Sequence, residues 1–231
     1  EVALILLEEV EGRDLQSDLV TYNAAISACG KAAEWQQALG LLNLVGSQTG
    51  LRPDTITCNS AISACEKAGK WQQALSILDE VEKISVPLDV VTYNAIISAC
   101  GKAGEWQKAI HVLGQMIWKL TMEVALTMVP DVISYSAAVS ACERAGEWTQ
   151  ALQLLDEAHE CREVDEMTLS AAISACEKAA KWQHALHLFS SIHHFHVKSD
   201  VVMCSATASA CEKSSAWQHA LLLLNDLNGG G

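Results

Sequence analysis

Proline is scarce, with 3 in 231 residues, and so are phenylalanine and tyrosine, with 2 and 3. So few prolines exclude collagen-like and proline-rich linker architectures. No uncharged apolar run reaches the 18 or so residues that a membrane span needs, so no membrane partner is expected. The 9 cysteines include no C-x-x-C pair, which argues against a zinc ribbon and against a small disulfide-stapled secreted module. Basic residues are outnumbered, 15 against 28 acidic, for a formal charge of -13. Phosphate binding draws its affinity from Lys and Arg, so this balance weighs against a nucleic-acid partner until the placement of the cations is known. No grouping of nucleophile, base and oxyanion donors stands out. Catalysis is therefore expected only from a missing domain or a recruited partner, and no cofactor is expected.

What the chain does have is apolar content, at 50%, and repetition. An Ala-Cys pair recurs at Cys29, Cys65, Cys100, Cys142, Cys176 and Cys211, with spacings of 36, 35, 42, 34 and 35 residues. Six residues after each cysteine stands a tryptophan: Trp35, Trp71, Trp106, Trp148, Trp182 and Trp217. Three further on comes an alanine: Ala38, Ala74, Ala109, Ala151, Ala185 and Ala220. A period in this range is the mark of a stacked-repeat architecture.

Within one copy, Val90 to Lys102 places Tyr93, Ile97 and Cys100 on one side and Asn94, Ser98 and Lys102 on the other, which is the period of an amphipathic helix. Gly104 interrupts it, and Trp106, Ala109, Ile110 and Leu113 then mark a second helix. Each copy reads as a helical hairpin that cannot bury both apolar stripes alone. The predicted fold is all-α, a right-handed α-solenoid of stacked hairpins. The expected repeats are 19–54, 55–89, 90–131, 132–165, 166–200 and an incomplete 201–231, with 1–18 as the second helix of a preceding, truncated repeat. A start at Glu1, mid-repeat, suggests a fragment whose targeting segment is out of view. Pro53, Pro87 and Pro130 shortly precede Asp54, Asp89 and Asp131, which stand at the N-cap position of the next helix, and Asp165 and Asp200 hold the same place without a proline.

The cysteines read as small buried residues, since equivalent positions on stacked helices lie too far apart for most disulfides. His193, His194 and His196 form the one histidine cluster, without the four ligands of structural zinc, and no metal site is expected. The tryptophans read as packing between hairpins. The third repeat is longer by seven residues, about two helical turns, and includes Trp118 and the run Met122 to Met128. Its second helix is expected to continue, with an exposed protein-partner contact as one outcome and a tolerated irregularity as the other.

The segment Val90-Val91-Thr92-Tyr93-Asn94, the turn Cys100-Gly101-Lys102-Ala103-Gly104, Ala109 and the ending Pro130-Asp131 together resemble the pentatricopeptide repeat family of RNA-binding solenoids. The tetratricopeptide repeat fits less well, because here tryptophan opens the second helix instead of the first. The resemblance implies a reader of single-stranded RNA that assigns one base to each repeat. The fifth residues of the repeats, Asn23, Asn59, Asn94, Ser136, Ser170 and Ser205, would read bases together with the closing residues Asp54, Asp89, Asp131, Asp165 and Asp200. The aspartates suit helix capping equally well, and the two roles are compatible. By the family's code, Asn with Asp favours uracil and Ser with Asp leans to guanine, giving roughly U-U-U-G-G from the 5′ end. The second residues, Val20, Ile56, Val91, Ile133, Met167 and Val202, would wedge beside the bases. The basic thirteenth residues, Lys31, Lys67, Lys102, Arg144, Lys178 and Lys213, would follow the phosphates, although Glu66, Glu143, Glu177 and Glu212 precede four of them. The family also implies a plastid or mitochondrion and a role in RNA processing, stability or translation. The acidic charge keeps a second reading open, a protein-binding scaffold that uses the same face, and a third is the targeting array of a longer enzyme.

Overall fold

A computed structural model describes residues 18–47, 50–84, 86–122, 128–195, 197–198, 200–216 and 218. These residues are helical throughout their regular structure and include no strand. The expected helix within 1–18 lies almost wholly outside them, as do most of the run from Met122 to Met128, Trp217, Ala220 and the glycine tail. The α-helices are α1 (Leu19–Lys31), α2 (Trp35–Ser47), α3 (Thr55–Lys67), α4 (Trp71–Lys83), α5 (Val90–Lys102), α6 (Trp106–Thr121), α7 (Val132–Ala145), α8 (Trp148–Cys161), α9 (Glu166–Lys178), α10 (Trp182–Ser190) and α11 (Val201–Lys213). A short 3-10 turn, Ile192–Phe195, follows α10.

The start of every first helix is written locally. Asp18, Asp54, Asp89, Asp131, Asp165 and Asp200 are N-caps, each accepting a hydrogen bond from the backbone N–H three residues on. At Asp54, Asp89 and Asp131 the hydroxyl of the Thr or Ser at the third helical position accepts from the cap's own N–H, closing a capping box. The first helices end at a turn whose second residue is left-handed in every repeat: Ala33, Gly69, Gly104, Gly146, Ala180 and Ser215. Glycine adopts this conformation without penalty, whereas Ala33, Ala180 and Ser215 hold it at a cost.

The buried stripe of a first helix is four residues at i, i+3, i+4 and i+7, for example Tyr93, Ile96, Ile97 and Cys100 in α5. Second helices repeat the pattern, as with Ala74, Ile77, Leu78 and Val81 in α4. Full burial of Ile62, Ile97 or Ile173 contributes roughly 1.5–3 kcal/mol each. Trp35, Trp71, Trp106, Trp148 and Trp182 each open a second helix and are half-buried. Trp35 lies under Lys70 Nζ at 5.4 Å and Trp148 under Lys181 Nζ at 5.3 Å, so both touch the turn of the next hairpin.

The chain divides into two compact units, residues 1–103 with 115–129, and 104–114 with 130–231. In the first unit α3 packs between α1 and α5, while α2 and α4 each seat against their own and the following first helix. In the second, α9 packs between α7 and α11, with α8 and α10 bound in the same way. Each unit is a stretch of α-solenoid. α6 contributes its beginning to one unit and its end to the other; its 16 residues exceed the 13 of α2 and α4, and Trp118 near its end is exposed. Lys119 on this added turn donates 2.7 Å to the Tyr93 hydroxyl and pairs with Glu82 of α4 at 2.5 Å, which ties the extension to the preceding hairpin.

Candidate functional site

The stacking of first helices brings the fifth residue of one repeat beside the residue that closes it, 30 or 31 positions later. Asn59 Nδ2 lies 3.1 and 3.2 Å from the Asp89 carboxylate oxygens, and Asn23 Nδ2 lies 3.2 and 3.4 Å from those of Asp54. A carboxylate only accepts, so the carboxamide must turn its NH2 group toward it. The Asn carbonyl then faces the threonine of the capping box: Thr57 Oγ1 donates to Asn23 Oδ1 at 2.6 Å, and Thr92 Oγ1 donates to Asn59 Oδ1. Each asparagine is thus fixed by two partners, yet keeps one N–H and one carbonyl lone pair unspent. Burial works to raise the carboxyls of Asp54 and Asp89, but the bonds from Thr57 or Thr92 and from the asparagine outweigh it and hold both below the usual carboxylate range.

The serine repeats are built differently. Ser136, Ser170 and Ser205 occupy the same helical position, but among the described residues no hydrogen bond joins Ser136 to Asp165 or Ser170 to Asp200, because a hydroxymethyl group does not span the gap. Asp165 is engaged by Thr168, and Asp200 accepts from the Met203 N–H. Asn94 is buried, and Asp131 caps α7; they fall in different compact units.

The second residues form the most regular exposed feature. Val20, Ile56, Val91, Ile133, Met167 and Val202 are 60–72% exposed, one at the start of each first helix. Scattered exposed apolar side chains are ordinary, but one at the same register in six successive repeats is a patterned surface. Ile56 and Asn59 line a groove of about 360 Å³ on the first unit together with Ser63 and the thirteenth-position residues Lys31 and Lys67. A second residue, a fifth residue and two thirteenth-position cations therefore converge there.

The thirteenth position is exposed in all six repeats. Three of its cations are ion-paired: Lys102 with Glu66 at 2.9 Å, Lys178 with Glu143 at 2.8 Å and Lys213 with Glu177 at 2.9 Å. The partner is the glutamate of the preceding repeat, not the adjacent residue, since neighbours in a helix point about 100° apart. Among the described residues no three His, Cys, Asp or Glu side chains come together as a metal site; His196 lies outside those residues. No helix among them is long and apolar enough to cross a membrane.

Stacked helical hairpins with a polar pair repeated at one register define a helical-repeat protein whose surface is modular. The model of the pentatricopeptide repeat domain matches residues 46–103, and the single PPR repeat model matches 20–46, 91–119 and 133–162, together more than half of the chain. The chain belongs to the pentatricopeptide repeat family. The crystal structure of the pentatricopeptide repeat protein PPR10 from maize superposes with a TM-score of 0.72 at 25% identity, over 99% of this chain and 32% of that one. The chain thus spans about a third of the maize protein. The PPR domain of Arabidopsis thaliana protein-only RNase P 1, solved with tRNA, gives a TM-score of 0.60 at 14% identity over 72% of this chain and 84% of that one. Nuclear proteinaceous RNase P 2 of the same plant gives 0.69 at 10% identity over 83% and 41%. These last two show the fold alone. No curated protein matches the chain.

Proposed function

We propose that the chain binds single-stranded RNA, one base to each repeat, with the fifth and closing residues as the reading pair. The observation that carries this is the fixed carboxamide in the Asn23–Asp54–Thr57 and Asn59–Asp89–Thr92 triads. What each asparagine leaves unspent, an adjacent donor and acceptor, complements the acceptor-donor edge of uracil and the donor-acceptor edge of cytosine. A capping role alone needs the aspartate but has no use for an asparagine clamped at both ends. The exposed apolar second residues supply sequence-tolerant contact to the faces of the bases. Ser136 and Ser170, shorter and unclamped, leave room for a purine. With the amino terminus toward the 5′ end, the site is roughly U-U-U-G-G. Organellar RNA processing, stabilisation or translation is the setting this reading implies, with a plastid or mitochondrion as the location. No reaction is assigned to these repeats; binding acts by covering or exposing the transcript.

Fluorescence anisotropy with a U-U-U-G-G oligonucleotide and a scrambled one, each across a salt series, tests the reading. Preference for the first with a negative salt slope is expected. Equal affinity for both, or no dependence on salt, overturns it and favours the acidic protein-binding scaffold that the charge of -13 would suit.

A further inference from the structure

The thirteenth-position cations occupy two different environments, and the difference lies one residue earlier in the repeat before. Glu66, Glu143 and Glu177 each receive a lysine of the next repeat and also a serine one turn ahead of that lysine: Ser98 at 2.7 Å, Ser174 at 3.1 Å and Ser209 at 2.8 Å. A Ser and a Lys at i and i+4 thus clamp one carboxylate. The carboxylates are the less exposed partners, at 20–21% against 42–46% for the lysines, so the negative charge is held in place whichever way the lysine moves. Burial tends to raise the Glu177 carboxyl, but Lys213 and Ser209 more than compensate and keep it ionised.

In repeat 2 the clamp exists without its carboxylate. Ser63 and Lys67 hold the same i, i+4 relation, but the residue facing them from the first repeat is Gly30. A Cβ at Gly30 would stand 3.0 Å from the Ser60 carbonyl oxygen, so α1 and α3 would have to part by a few tenths of an ångström to admit a side chain there. Among the described residues, neither Lys31 nor Lys67 has a carboxylate partner and the Ser63 hydroxyl makes no hydrogen bond. Two cations and a free hydroxyl therefore line the same groove as Ile56 and Asn59.

We propose that the Ser63–Lys67 clamp, supported by Lys31, is a site for a backbone phosphodiester, and that Glu66, Glu143 and Glu177 act as internal phosphate mimics that close the equivalent site in three other repeats. Phosphate anchoring is then uneven along the array. It is open at the groove between the first two hairpins, where Gly30 stands at position twelve, the position that sets it. A clamp that already holds a carboxylate contributes no net charge to an incoming strand, and an empty one contributes a full charge. This rests on the RNA reading above, whose failure the test separates.

The experiment measures binding of the U-U-U-G-G oligonucleotide between 50 and 300 mM salt for the wild type, Lys67→Gln, Glu177→Gln and the double variant Glu177→Gln with Lys213→Gln, each checked for unchanged helical circular dichroism. Each phosphate contact on a single strand contributes about 0.7 to the slope of log affinity against log salt. Lys67→Gln should reduce the slope by about 0.7, and Glu177→Gln should steepen it by about 0.7 and tighten binding severalfold, because Lys213 is released. The double variant, which removes an internally neutral pair, should match the wild type. Equal losses from Lys67→Gln and from the double variant, or no gain from Glu177→Gln, overturn the inference while leaving the RNA reading intact. Absence of RNA binding by the wild type overturns both.

Discussion

Removing the Asp89 carboxylate separates the two tasks this side chain performs. Asp89 caps α5 through the Thr92 N–H at 2.9 Å and orients Asn59 at 3.1 Å. Loss of an N-cap acceptor costs about 1 kcal/mol. The bond from Asn59 to a charged acceptor adds about 1 kcal/mol, below the roughly 1.5–3 kcal/mol usual for a charged acceptor because the site is only half-buried. Asp89→Ala should therefore cost about 2 kcal/mol in urea unfolding followed by helical circular dichroism. Asp89→Asn keeps a cap that ranks with aspartate and loses chiefly the charge at the helix N-terminus, which is worth about 0.3–1 kcal/mol. Because an array can unfold piecewise, amide exchange at Thr92 and Tyr93 serves as the local measure, and the order Ala, Asn, wild type should hold there too. The sharper readout is RNA. Asp89→Asn should leave the fold near wild type yet alter the base preferred at the second position, since an amide no longer dictates which end of Asn59 faces it. A loss below about 0.5 kcal/mol for Asp89→Ala, well short of a cap's usual worth, would refute the capping argument, and an unchanged base profile for Asp89→Asn would refute the orienting one.

Acid should weaken the first unit through the same carboxyls. Asp54 and Asp89 are held below the unfolded value of about 3.9, so their contribution is complete above that pH and is lost as the pH falls through the folded values; the urea midpoint should hold from neutrality down to about pH 4 and drop beneath it. Burial pushes the thiols of Cys58, Cys65 and Cys176 up to about 11 and that of Cys142 up to about 12, whereas Cys161 is exposed. A thiol-reactive dye at pH 8 should therefore label Cys161 first and reach those four only on unfolding, as peptide mapping would show. Ala180 holds a left-handed conformation at φ 54°, so Ala180→Gly should stabilise the chain by about 0.5–1 kcal/mol in urea unfolding, the relief of strain exceeding the added freedom of the unfolded glycine.

Much of this was legible in the residues, because the features concerned are local or periodic. The spacing of the cysteines and tryptophans foretold the hairpins, and the aspartates stood where helix caps belong. Less legible is the threonine or serine three residues after those aspartates, Thr57, Thr92 and Ser134, whose recurrence marks the capping box; Thr57 and Thr92 also clamp Asn23 and Asn59. Which lysine each glutamate pairs with is not legible from adjacency in the sequence. Glu66 precedes Lys67 in the sequence and was expected to weaken it, but its partner is Lys102, 36 residues on, because contact in a solenoid is set by register between repeats. The left-handed turn residue was legible where glycine fills it and hidden where Ala33, Ala180 and Ser215 do, since backbone context there overrides residue preference.

The most direct measurement is selection of bound sequences from a randomised single-stranded RNA pool with the wild type and with Asn59→Ser. The substitution removes the clamped carboxamide while leaving Asp89 to cap α5. Preference at the second base alone should move from pyrimidine toward guanine, with the neighbouring positions unchanged. A profile that does not move, or one that degrades equally at every base, would contradict one-repeat, one-base reading.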